Sequence, residues 1–345
     1  MIANKKRTLA FLFASLMSPL ACSLQHPQRI VVASKNFPEQ ILLGEIAAQL
    51  IEGHYGTKVT VCRRLNLGDT LRVHHALLAK QVDLYPEYTG TAFTTVLNHS
   101  WNLSEDRLSV LKEVQKEYRD SMQIEWLDPL GFDNPWGMVV RLEDVQSGPP
   151  KEVLKLSAAV ERKDGKTYHL IVGREFLERP DGYTSLVAAY PIRWKGPPKP
   201  AASLPNIYNQ MEPEGMIAWS VTDAQATAPF VVLEDNKNAF PPYQACFVVR
   251  AEILERVPGL RHILESLKSR ICQDAIRGMN VRVFQCWAKT GTKADETEIT
   301  SNEQNQMVRC ATQEASAFLK ALGASTPSRP SCVTAGQLGD NRDGR

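Results

Sequence analysis

A β-branched run, Ile30-Val-Val-Ala33, ends directly on Ser34-Lys-Asn-Phe-Pro-Glu-Gln40 and then on a stretch of helical period through Ile41, Leu42, Ile46, Ala47, Leu50 and Ile51. A strand, a short polar turn and a helix open a βαβ unit, which commits the chain to an α/β class with parallel pairing. Asn36 and Glu39 bracket Phe37-Pro38 as a capping-box-like start, with Pro tolerated in the first turn. Val59–Cys62 reads as the second strand and Val82–Tyr85 as the third. Between them Asp69 or Thr70 caps a helix with Leu71, Leu77 and Leu78 inward. Downstream, Asp83-Leu-Tyr-Pro-Glu-Tyr-Thr-Gly-Thr-Ala92 carries a strand end into a loop. Polar and aromatic side chains thus collect at strand ends, where α/β proteins hold small ligands.

The rest of the chain repeats the alternation. A polar amphipathic helix over 104–122 leads through Gly131–Trp136 to a strand over 137–141. Strands over 216–219 and 230–233 precede a return near 234–240, a strand over 247–250 and helices over 251–267 and 307–322. Two crossings imply two lobes: residues 30–132 with 236–325 as lobe I, and 133–235 as lobe II. Residues 326–345 are polar and rich in Pro, Ser and Gly, and read as a disordered tail. A chain that crosses twice makes a cleft at the crossings.

At the N-terminus, Lys5, Lys6 and Arg7 precede an apolar segment from Leu9 to Leu20, too short to span a bilayer. Residues 1–22 therefore read as an export signal. Ser18-Pro-Leu-Ala-Cys22 approximates a lipoprotein box, so the reading is either lipidation of Cys22 or cleavage near Ala21 or Ser23. Either way the mature chain is expected outside the cytoplasm, in the periplasm or tethered to the outer face of the membrane. Seven cysteines suit an oxidising space, with connectivity open.

With 40 basic and 38 acidic residues the chain offers no nucleic-acid footprint. No GxSxG elbow and no Cys/His cluster at zinc spacing occurs, so neither an enzyme, nor a metal, nor a cofactor is expected. His74 and His75 diverge by about 100° on a helix and cannot share a metal; both read as solvated.

Five segments carry a family resemblance: Ser34–Gln40, Asp83–Thr91, Trp126–Asn134, Arg174–Tyr183 and Val232–Tyr243. In this order and spacing the chain resembles the substrate-binding proteins of ABC importers for quaternary-amine osmoprotectants. The likeness covers residues 30–325, apart from an insert near 287–306. It implies a two-lobed periplasmic-binding-protein fold of type II, each lobe a mostly parallel sheet flanked by helices. It also implies a monomer serving a membrane permease and an ATPase, and a ligand such as glycine betaine, choline or carnitine. Carried over residue by residue, the ligand's trimethylammonium group would sit against Tyr88, Thr91, Trp136 (where relatives usually carry Tyr) and Tyr243. Its polar end would meet Lys35, Gln40 and Arg179. Trp219-Ser-Val-Thr-Asp223 departs from the aromatic-Ser-Thr-Asp pattern by one residue: either Trp219 reaches the cleft through a bulge, or Ser220 faces it and one wall is missing.

The chemistry is consistent with that list. A quaternary ammonium has no N–H, so hydrogen bonds cannot recognise it. Ring faces attract it by about 0.5–2 kcal/mol per desolvated contact. A guanidinium fork suits a carboxylate better than a lysine point charge, which favours Arg179 as its anchor.

Overall fold

The computed structural model describes residues 27–101, 107–145, 155–160, 167–201, 207–226, 229–289 and 300–324. The export signal with Cys22 and the 326–345 tail lie outside the described residues. The β-branched run becomes β1 (Gln28–Ala33), its last four residues buried. α1 (Pro38–Tyr55) then crosses to β2 (Val59–Arg64), which pairs parallel with β1. α2 (Thr70–Leu78) crosses back to β3 (Leu84–Tyr88), parallel to β1 on its other side. β4 (Ile124–Trp126) and β10 (Ala245–Arg250) complete the first sheet in the order β2-β1-β3-β10-β4. The second sheet comprises β5 (Trp136–Arg141), β6 (His169–Val172), β7 (Lys199–Pro200), β8 (Gly215–Ser220) and β9 (Phe230–Leu233), in the order β7-β6-β8-β5-β9.

The two orders are equivalent, with the strand that arrives from the other sheet in fourth place each time: β10 in the first, β5 in the second. Each arriving strand is antiparallel to both neighbours. The sheets are therefore mixed rather than mostly parallel, because a strand entering from the facing lobe runs back from the cleft edge. That reversal sets the site. Parallel strands end at the edge where the arriving strands begin, so Lys35, Tyr88 and Ser220 meet Trp136 and Tyr243. The two crossings also touch: Asn134 N–H donates to the Tyr243 carbonyl at 3.1 Å.

Several local expectations change. Phe37, not Asn36, is the N-cap of α1 and makes no side-chain cap bond, so the capping box does not form. Asp69 does cap α2, accepting from Arg72 N–H at 2.9 Å. α2 buries Val73, His74, Ala76 and Leu77, while Leu71 and Leu78 are each 45% exposed. The i, i+3, i+4 stripe starts at Val73, which turns His74 inward against Tyr118 at 5.5 Å between ring centroids. Burial lowers the His74 pKa, favouring the neutral ring that such a position requires. The third strand starts two residues later than its β-branched residue suggests. The helix expected over 251–267 breaks into Ala251–Arg256 and Leu260–Glu265, because Pro258 and the left-handed Gly259 (φ 86°) interrupt it.

The helices Gln273–Ala288 and Ser301–Ala324 pack on each other and on α1. A Cys286–Cys310 disulfide joins them. Cys272 is also disulfide-bonded, whereas Cys62 and Cys246 are free. Among the described residues no helix is long and apolar enough to cross a membrane.

Candidate functional site

A cavity of about 450 Å³ lies between the sheets. Of the side chains expected to meet a ligand, Lys35, Tyr88, Thr91, Trp136, Arg179, Trp219 and Tyr243 all line it, and Gln40 does not. Gln40 sits on the first turn of α1, fully buried, beside the Tyr88 phenol. Both Trp219 and Ser220 border the cavity. They pair in unbroken register with Gly137 and Trp136 at the end of β8, so no bulge brings Trp219 to the cavity, and Trp219 lines it without Ser220 being displaced. Phe37 adds another ring, stacked on Tyr88 with centroids 6.5 Å apart.

Both buried cations of the cavity are already paired. Lys35 is 3% exposed, makes a buried ion pair with Glu87, and lies 5.3 Å from the Tyr88 ring centroid. Burial lowers the Lys35 pKa, and Glu87 opposes the shift. Arg179 donates from Nε and Nη2 to the two oxygens of Asp181 at 2.9 and 2.6 Å, and from Nη2 to Thr91 Oγ1 at 3.1 Å. Burial disfavours its charge, but the Asp181 carboxylate outweighs burial and holds the pKa above the ordinary arginine value. Its guanidinium carbon lies 5.2 Å from the Trp136 ring and 6.0 Å from that of Tyr243. The fork expected to receive a ligand carboxylate is thus committed to Asp181.

Three ring residues of the cavity back onto carboxylates, of which Glu39 and Asp181 are buried and Asp223 is half-buried. Tyr88 donates its hydroxyl to Glu39 Oε1 at 2.6 Å. Tyr243 donates to Asp181 Oδ2. Trp219 donates Nε1–H to Asp223 Oδ2 at 2.9 Å. Glu39 gathers three more donors: Asn134 Nδ2 at 2.9 Å, Thr222 Oγ1 at 2.5 Å and Asn280 Nδ2 at 2.7 Å. These come from the first crossing, from the turn after β8 and from the Gln273–Ala288 helix, so one carboxylate ties both lobes together. Burial raises the Glu39 pKa and its four donors oppose the rise. Burial likewise raises that of Asp223, opposed by Gln225 N–H, the Trp219 indole and the Tyr208 hydroxyl. Glycine is required at position 90 for the same packing: a Cβ there would lie 2.9 Å from the Tyr243 ring and from the Pro242 carbonyl.

Glu39, Asp181 and Asp223 were not among the expected site residues. Glu39 carries the spacing of a helix cap, Asp181 follows Arg179 by two residues as a candidate pairing partner, and Asp223 closes the departing Trp219–Asp223 stretch. His99, Glu113 and Glu117 are the one grouping of metal-ligand type among the described residues; they do not border the cavity, and His99 Nε2 is engaged with Glu117 at 2.7 Å.

Comparison with known proteins accords with this geometry. The substrate binding domain of the ABC-type glycine betaine transport system matches residues 28–294. The ergothioneine transport permease/ergothioneine binding protein EgtU of Helicobacter pylori (strain G27) is 31% identical over 280 residues, 80% of this chain; the chain spans about half (48%) of that relative's length. The carnitine transport binding protein OpuCC of Listeria monocytogenes serotype 1/2a (strain 10403S) is 28% identical over 247 residues, covering 70% of this chain and 77% of the relative. A solved structure described as a glycine betaine/carnitine/choline ABC transporter superposes with a TM-score of 0.65 at 21% identity, over 84% of this chain and 97% of its own. Apo YehZ from Escherichia coli gives 0.60 at 23% identity, over 86% and 99%. At those identities the two structures speak to the fold, which is that of two-lobed periplasmic binding proteins. The chain belongs to the family of substrate-binding domains of ABC-type glycine betaine transport systems.

Proposed function

We infer that this chain captures a quaternary-ammonium solute in the interlobe cavity and delivers it to a membrane permease driven by an ATPase. The observation that carries this reading is the convergence of Tyr88, Trp136, Trp219 and Tyr243, from four separate segments, on one cavity. Rings so placed suit a cation that cannot donate hydrogen bonds, at about 0.5–2 kcal/mol per desolvated face. Lys35 and Arg179 already lie against two of the rings, which supports the reading that these faces attract positive charge. The ligand class comprises glycine betaine, choline, carnitine and trimethylammonium relatives such as ergothioneine. The protein acts as an exported, non-catalytic monomer that closes its lobes around the ligand.

A thermal-shift screen against these four compounds tests the assignment. At least one should raise the melting temperature in a concentration-dependent way, as mass action requires of a ligand that binds only the folded state. No shift with any of them, at millimolar concentration, contradicts it.

A further inference from the structure

The cleft has an unequal charge ledger. Its buried cations, Lys35 and Arg179, are each neutralised by an internal carboxylate, Glu87 and Asp181. Of its acids, buried Glu39 accepts from the neutral donors Tyr88, Asn134, Thr222 and Asn280, and half-buried Asp223 from the neutral Trp219 indole, Gln225 amide and Tyr208 hydroxyl. Both border the cavity, and each receives the polar hydrogen of one of its rings. A buried charge without a counter-charge is expensive in the empty protein. The group able to relieve it is a ligand cation on the far face of the same rings. A phenol or indole that donates to a carboxylate also carries more negative charge on its π face, which strengthens its hold on a cation.

We propose that Glu39 and Asp223 supply the fixed negative charge of this cleft, acting through Tyr88 and Trp219, and that they make the protein select cationic ligands over neutral ligands of the same shape. This rests on the quaternary-amine reading and adds to it. Ring walls alone enclose any compact apolar group, whereas carboxylate-backed rings discriminate by charge. Glu39 and Asp223 are positioning residues in this scheme, acting through the phenol and the indole that donate to them.

The test compares choline with 3,3-dimethylbutan-1-ol, which replaces the ammonium nitrogen by carbon and keeps the shape. Titration calorimetry is run on the full chain and on Glu39→Gln and Asp223→Asn. The parent should bind choline at least 100-fold tighter than the alcohol. Each variant should lose at least tenfold for choline while changing less than threefold for the alcohol, so the ratio narrows. Loss of a merely structural contact would weaken both ligands together and leave the ratio unchanged, which overturns the proposal. If Glu39→Gln does not fold, the ratio in Asp223→Asn decides. A parent that binds choline with a ratio near one overturns this inference alone. A parent that binds no quaternary amine overturns it together with the functional reading beneath it.

Discussion

Arg179 lays the Nε–Nη2 edge of its guanidinium on Asp181, at 2.9 and 2.6 Å, instead of holding that edge open to the cleft. The pair spans no great sequence distance, but it fixes Asp181, and Asp181 in turn accepts the hydroxyl of Tyr243 from the other lobe. Arg179 therefore organises the site before any ligand arrives. Arg179→Ala would leave Asp181 buried and uncompensated, a loss of about 3–5 kcal/mol for a broken buried pair. The expected outcome is a lower melting temperature and weaker binding of choline and glycine betaine alike. A variant that melts like the parent and loses only glycine betaine would return the fork to the ligand carboxylate.

Gly90 tests the packing of the same ring. A methyl group at this position would meet the Tyr243 ring and the Pro242 carbonyl at 2.9 Å, and the carbonyl cannot swing aside as a side chain can. Gly90→Ala should displace Tyr243 and weaken choline by roughly the tenfold that one lost ring contact implies. The far-ultraviolet spectrum should stay unchanged, and unchanged affinity would show that Tyr243 does not wall the ligand.

The Cys286–Cys310 bridge ties together helices that contribute Phe284, Trp287 and Met307 to the cavity border. It closes a loop with a sequence separation of 24, for which chain entropy gives about 3 kcal/mol. The Cys286→Ser, Cys310→Ser double variant should melt several degrees lower in differential scanning calorimetry. An unchanged melting temperature would mean that packing alone holds the helices.

Acidity offers an independent check. Burial lifts the pKa of both Glu39 and Asp223 above the ordinary carboxylate values of 4.5 and 3.8. In the empty cleft these groups take up protons at higher pH than ordinary acids do. A cation binds best when they are ionised, so choline affinity should fall as the pH is lowered from neutral toward those ordinary values. Choline carries a permanent charge and cannot cause the trend itself. Calorimetric titrations at several pH values should show the slope in the parent and a flatter one in Glu39→Gln; a flat parent profile contradicts the account.

The sequence showed the alternation that builds the sheets and the segments that reach the cleft, because β-branched runs and helical periods are local signals. It did not show the charge chemistry. Glu39 carries the spacing of a helix cap, while its four donors lie 49, 95, 183 and 241 residues away, which no local pattern reports. His74 faces inward, against its solvated sequence reading, because α2 packs on Tyr118 from a distant helix. Trp219 and Ser220 both border the cavity while pairing in unbroken register with Gly137 and Trp136, an outcome that the two-residue period of a strand does not report. Arg179 had a competing partner two residues on, and only the folded geometry gives Asp181 both donor contacts.

Trp136 bears most directly on the central claim. It opens β5 at the cleft edge, its half-buried ring borders the cavity, and it packs edge-on against the core residue Phe176 at 5.2 Å. Titration calorimetry of the tightest trimethylammonium ligand against Trp136→Ala and Trp136→Tyr measures what that ring contributes. The account predicts a loss of about 1.5–3 kcal/mol for Trp136→Ala, tenfold or more in affinity, with a much smaller loss for Trp136→Tyr, which keeps a ring face. A folded Trp136→Ala variant that binds like the parent would contradict the aromatic cage.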